Sequence, residues 1–74
     1  MKFLSQEIFL KKIGARIKAL RKEQQISQSQ LAFEADLPLR QIGRIERGEL
    51  NTGVHTLYKI AFALNVSVIE LLNS

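Results

Sequence analysis

Seventy-four residues without a cysteine suit one helical domain with a modest core. A chain this short buries only about 60–65% of its unfolded surface, and neither disulfides nor a thiolate metal site can staple it. Lysine and arginine number 11 against 7 acids, a formal charge of +4, and the charge is uneven: residues 1–22 hold seven Lys/Arg and one acid, Arg40–Arg47 three and one, residues 48–74 one lysine and two acids, the distribution of an electrostatic footprint.

The opening MKFLSQEIFLKK has the superficial look of a signal peptide. Ser5, Gln6 and Glu7 interrupt its apolar run and no small-residue cleavage site follows, so it reads as structure. No run approaches the roughly 18 apolar residues that span a bilayer. The first predicted helix covers about Gln6–Gln24 with Ser5 as N-cap. Leu10, Ile13, Ile17 and Leu20 form its apolar stripe, and Lys11, Lys12, Lys18 and Lys22 lie on the other side. A second helix follows Ser27, which with Gln30 spells a capping box; Leu31, Ala32 and Ala35 face inward. The third starts near Pro38, whose fixed φ suits a first helical turn, and stops before Gly48. The fourth spans about Val54–Leu64, with Leu57, Ile60, Ala61 and Leu64 inward and Asn65 closing it in the left-handed conformation. The fifth is short, with a Ser67/Glu70 capping box and Val68, Leu71 and Leu72 as apolar contacts. No strand pattern competes, and no repeat or linker divides residues 1–74, so the expected class is all-α in a single domain.

On the third predicted helix, place Ile42 at the centre of the buried face and advance about 100° per residue. Ile45 then lies inside, and Arg40, Arg44 and Arg47 cluster opposite, flanked by Gln41 and Gly43. Three guanidiniums on one face can grip guanine edges or phosphates, or they can simply be a solvated basic face. Leu39 falls at the rim, either core or a partner for a thymine methyl. Gly43 costs about 0.8–1 kcal/mol against alanine. It either lets the backbone approach a duplex closely or is tolerated drift.

Leu31, Ala32, Ala35, Leu37, Ile42 and Ile45 are apolar where two angled helices would touch, and Ala32 is small enough for a close crossing. With G-x-R-I-K-x-L-R, S-Q-x-x-L-A, I-G-R-I-E-R-G and T-L-x-K-I-A-x-A-L-x-V-S in order, about Ile13–Leu72 resembles the phage-repressor-like helix-turn-helix family. The resemblance implies a compact five-helix lambda-repressor-like domain, with the helix-turn-helix at about residues 28–47, that binds operator DNA as a dimer. It implies that Gln28 meets a phosphate with Ser27 or Ser29 nearby. Leu39, Arg40 and Arg44 would face base edges, and Gln41 and Arg47 the backbone. The chain departs from the family pattern in having Asp36 where glycine is usual in the turn, and Pro38 where Ser or Thr usually caps the reading helix.

Glu46 lies about 40° from the buried centre of the third helix, and Arg21 is similarly close to the stripe of the first. A buried carboxylate needs a partner, and the resemblance pairs these two positions, so an Arg21–Glu46 ion pair is expected. Phe33 and Phe62 point outward, and Phe3, Ile8 and Phe9 are extra apolar groups. Either the N-terminal segment folds back over them, or the last two helices build a homodimer seam from Phe62, Ile69 and Leu72.

His55 has no cysteine or second histidine with which to hold a metal, and no catalytic constellation is visible. The expectation is a cytoplasmic, non-enzymatic transcriptional regulator of double-stranded DNA, a repressor or autoregulator without metal, cofactor, membrane or small-molecule effector. A restriction–modification controller protein and an antitoxin are alternatives within that class. A protein-interaction module with a basic face is the alternative outside it.

Overall fold

The computed structural model describes residues 3–73; Lys2, one of the basic residues counted above, and the extreme ends of the predicted domain lie outside them. Five helices follow in order: α1 Gln6–Glu23, α2 Gln28–Ala35, α3 Leu39–Glu46, α4 Val54–Leu64 and α5 Val68–Leu72. The five helices match the order expected from the sequence, and no strand occurs among the described residues.

Local chemistry explains where the helices begin. The hydroxyl of Ser5 accepts the Ile8 amide, and that of Ser67 accepts the Glu70 amide. The Glu70 carboxylate accepts the Ser67 amide in return, a complete capping box. At α2 the box is half formed: Ser27 Oγ accepts the Gln30 amide at 3.0 Å, but the Gln30 side chain donates to Glu34. An i,i+4 carboxylate on the same face is an easier reach than the backbone behind it. Pro38 lies just ahead of α3 and not within its first turn. It is extended (φ −63°, ψ 143°) and offers only its carbonyl, to the amides of Gln41 and Ile42.

The first four helices end alike. Gln25, Asp36, Gly48 and Asn65 take φ values of 61°, 57°, 74° and 60°. In each case the left-handed residue and its successor donate back to the last turn, as when Gln25 reaches the Lys22 carbonyl and Ile26 that of Arg21. This pairing satisfies carbonyls the helix end would otherwise orphan.

Ile13, Ile17 and Leu20 of α1, Leu31, Ala32 and Ala35 of α2, Ile42 and Ile45 of α3, four residues of α4 and Leu71 form one buried cluster. Leu10, expected on the stripe of α1, is only half-buried, and Leu72 stays exposed. The approach of α1 to α3 is close. A Cβ on Gly14 would meet the Ile45 and Glu46 carbonyl oxygens, the latter at 2.6 Å, and one on Gly48 would lie 2.8 Å from the Lys11 Cα. Two glycines therefore let the backbone of α1 lie against the end of α3. The N-terminal segment does not cover the outer aromatics: Phe33 and Phe62 are 83% and 72% exposed. Leu4 and Phe9 instead line a shallow groove with Leu72.

Candidate nucleic-acid interface

The α2–α3 unit turns at Asp36, whose left-handed backbone does what glycine would do. Asp tolerates that conformation better than most residues. Beyond the turn, α3 is sharply two-sided. Ile42, Gly43, Ile45 and Glu46 are buried, while Arg40, Arg44 and Arg47 are exposed. Arg40 and Arg44 stand together along a groove shared with Pro38, Gln41 and Leu50. Gln41 is half-buried at its edge. Leu39 is half exposed, which removes the core alternative for that residue.

A buried polar cluster ties α3 to α1 and α2. Arg21 Nε donates to Glu46 Oε2 at 2.7 Å and Nη2 to Oε1 at 3.1 Å, while Nη1 reaches the Ile26 carbonyl at 2.9 Å. The two side chains are 9% and 2% exposed. Hydrogen bonding to Glu46 holds the Arg21 guanidinium above its ordinary pKa, against the opposing effect of burial. A third donor, Gln28 Nε2, lies 2.9 Å from Glu46 Oε1. No buried side-chain polar atom among the described residues lacks a partner, the condition under which a buried charge pair is tolerated.

Two residues sit differently from their expected surroundings. Gln28, placed on a phosphate by the family resemblance, turns its amide inward to Glu46. Gly43 is buried, not an open notch. The place of its missing Cβ lies 3.2 Å from Arg47 Nη1 and 3.9 Å from Gln28 Oε1, so these two side chains cover the helix there. Ser27 and Ser29 are exposed at the start of α2.

Arg47 is not free. Its Nε and Nη2 donate to the two carboxylate oxygens of Glu49 at 2.9 and 3.3 Å. Sequence reasoning missed Glu49; the only signal was an acid just past the glycine that ends an arginine-bearing helix. It also missed Gln24, whose amide donates to the Leu64 carbonyl at 2.7 Å and ties α1 to the end of α4.

Of the candidate seam residues, Phe62 and Ile69 are each 72% exposed and Leu72 43%. Phe62 and Leu72 line different grooves: Phe62 stands beside Tyr58 on α4, ring centroids 6.3 Å apart, in a groove shared with the end of α2, and Leu72 lies by Leu4 and Phe9. His55 is exposed and stacks on Tyr58. Among the described residues no cluster of His, Cys, Asp or Glu could hold a metal, and no helix is long and apolar enough to cross a membrane.

The pattern of the helix-turn-helix family matches residues 17–71. The chain belongs to that family. It is 43% identical over 56 residues to the immunity repressor protein of Bacillus phage phi105, a match covering 76% of this chain. The chain spans about two-fifths of that repressor's length, 39%. Among solved structures, the restriction–modification controller protein C.AhdI from Aeromonas hydrophila superposes with a TM-score of 0.82 at 37% identity, covering 84% of this chain and 94% of the controller. The biofilm master regulator SinR, solved in complex with DNA, superposes with a TM-score of 0.78 at 40% identity, covering 82% and 98%.

Proposed function

We propose that this helix-turn-helix protein is a sequence-specific regulator of transcription that binds duplex DNA through α3, as a homodimer on a palindromic operator, and represses. The observation that carries the reading is the two-sidedness of α3. Arg40 and Arg44 share an exposed groove, while the opposite face is fixed by Ile42, Ile45 and the Arg21–Glu46 pair. A rigidly held basic helix face suits bidentate contacts to guanine edges in the major groove. Resemblance to a phage repressor and to a regulator solved on DNA supports the same reading. Similarity along most of its length to a restriction–modification controller protein supports that role as a narrower alternative.

Selection from random duplexes, followed by anisotropy titration of the winners, tests it. One sequence should be preferred by about a thousandfold or more. Affinity should fall with salt by about 0.9 log units per log unit of salt for each phosphate neutralised. Salt dependence without sequence preference would refute sequence-specific reading and leave only general adhesion of the basic face. Sedimentation equilibrium at tens of micromolar, with and without the selected duplex, tests the dimer; a monomer in both conditions refutes it.

A further inference from the structure

Glu49 has no part in the expected interface, yet its position is built. Its amide donates to the Arg44 carbonyl at 2.9 Å, and that of Gly48 to the Ile45 carbonyl at 3.0 Å. Gly48 itself is left-handed and pressed against Lys11. The backbone thus turns back on α3 at one defined residue, and the Glu49 side chain returns to Arg47. Both Nε and Nη2 of that guanidinium are taken by the two carboxylate oxygens. This is the two-point grip with which arginine holds a phosphate.

We propose that Glu49 is an internal competitor for DNA phosphate: it occupies the fork of Arg47 in the free protein and weakens binding to duplex of any sequence. This rests on the DNA-binding reading above and adds a device that sets its strength. Hydrogen bonding from Arg47, with a further pull from the charge of Arg44, holds the Glu49 carboxyl below its ordinary pKa. The competitor therefore keeps its negative charge at neutral pH. Binding can proceed in two ways. Either Arg47 stays with Glu49 and neutralises no phosphate, or it moves to a phosphate and Glu49 takes up a cation from solution. Both routes release one counterion fewer than an unpaired Arg47 would.

The test is a titration of a fluorescein-labelled mixed-sequence duplex, two helical turns long, at several salt concentrations. The proteins are wild type, Glu49→Gln, Arg47→Ala, the double variant, and Glu34→Gln as an exposed-acid control on α2. Circular dichroism melts check that each is folded. Glu49→Gln should bind about two- to fivefold tighter at low salt, in keeping with an exposed ion pair. Its log–log salt slope should steepen by about 0.9. In the Arg47→Ala background the gain should shrink to that of Glu34→Gln. Unchanged or weaker binding by Glu49→Gln overturns the inference, as does an equal gain without Arg47 or from Glu34→Gln. Wild-type protein that binds no duplex, mixed or selected, overturns the DNA-binding reading and this inference with it; wild-type binding with an indifferent Glu49→Gln overturns this inference alone.

Discussion

Replacing Glu46 by glutamine tests the buried cluster most sharply. The carboxylate accepts two hydrogen bonds from Arg21 and one from Gln28. Glutamine keeps the shape but offers one oxygen, and it turns an NH₂ toward groups that only donate. Arg21, with 9% of its side chain exposed, would keep the Ile26 carbonyl and lose its counter-charge. Breaking a buried pair by removing one partner costs about 3–5 kcal/mol. The retained carbonyl bond and water at the rim bring the expectation to about 2–4 kcal/mol. A protein of this size has about 4–11 kcal/mol in all, so the variant should be marginal, with Tm lowered by about 10–25 °C. Thermal and urea unfolding followed by circular dichroism measure it. The companion Arg21→Met/Glu46→Leu variant removes both charges and should recover more than half of the loss. A loss below about 0.5 kcal/mol for Glu46→Gln, or a double variant as damaged as the two singles summed, would refute the view that this pair is a desolvated, mutually dependent unit.

Gly14→Ala should destabilise by about 1–3 kcal/mol, despite the better helix propensity of alanine. The new Cβ meets backbone carbonyls of α3 that cannot rotate away; a stabilised variant would show that α1 and α3 have slack. Gln25→Gly should stabilise by about 1 kcal/mol, because Gln25 holds φ 61° without the local hydrogen bonding that suits Asp or Asn to that region; no gain in urea midpoint contradicts this. Arg44→Ala should lose about 1–3 kcal/mol on a selected site and relax base preference there, read by competition titration; an equal loss on every sequence would make Arg44 a phosphate contact. Gln28→Ala should weaken binding to all sequences alike and cost about 1 kcal/mol of stability as Glu46 loses a donor; unchanged melting would separate the residue from the cluster.

Much of this fold is legible because its signals are local. Spacings of three and four placed Ile13, Ile17 and Leu20 of α1 and the four inward residues of α4 in the core, where they are. Ser67 with Glu70 announced its box, and Asn65 its left-handed closure, while Asp36 was marked only by standing where the resembled family has glycine. The angular count on α3 separated Arg40 and Arg44 from Ile42 and Ile45. It also brought Glu46 inward, and an inward carboxylate implies a partner. What escaped depends on which helices meet. Nothing local distinguishes Gly14 from a helix-weakening glycine, because its reason is the α3 backbone lying across it. Gln25 carries none of the residue chemistry that marks a left-handed position; the packing of Ile26 against the core holds it there. The cover over Gly43 comes from Arg47, four residues on, and from Gln28 on another helix. No periodicity within α3 contains that arrangement.

On the proposed reading, Gln28 would join the buried cluster to the DNA-binding face. Its inward bond to Glu46 looks like a departure from the phosphate contact that the family resemblance implies, but the side-chain amide carries two N–H groups. Only one is engaged, 2.9 Å from Glu46 Oε1. The second is uncommitted, at the start of α2, where the helix dipole also favours an anion. In the proposed complex Gln28 could therefore hold Glu46 and a phosphate oxygen together without changing rotamer. Arg21, Glu46 and Gln28 would then form a continuous path from α1 through α3 to the backbone of the duplex. Loosening the buried pair should on this view weaken binding even at temperatures where the variant is fully folded, because the phosphate anchor and the tilt of α3 share one carboxylate.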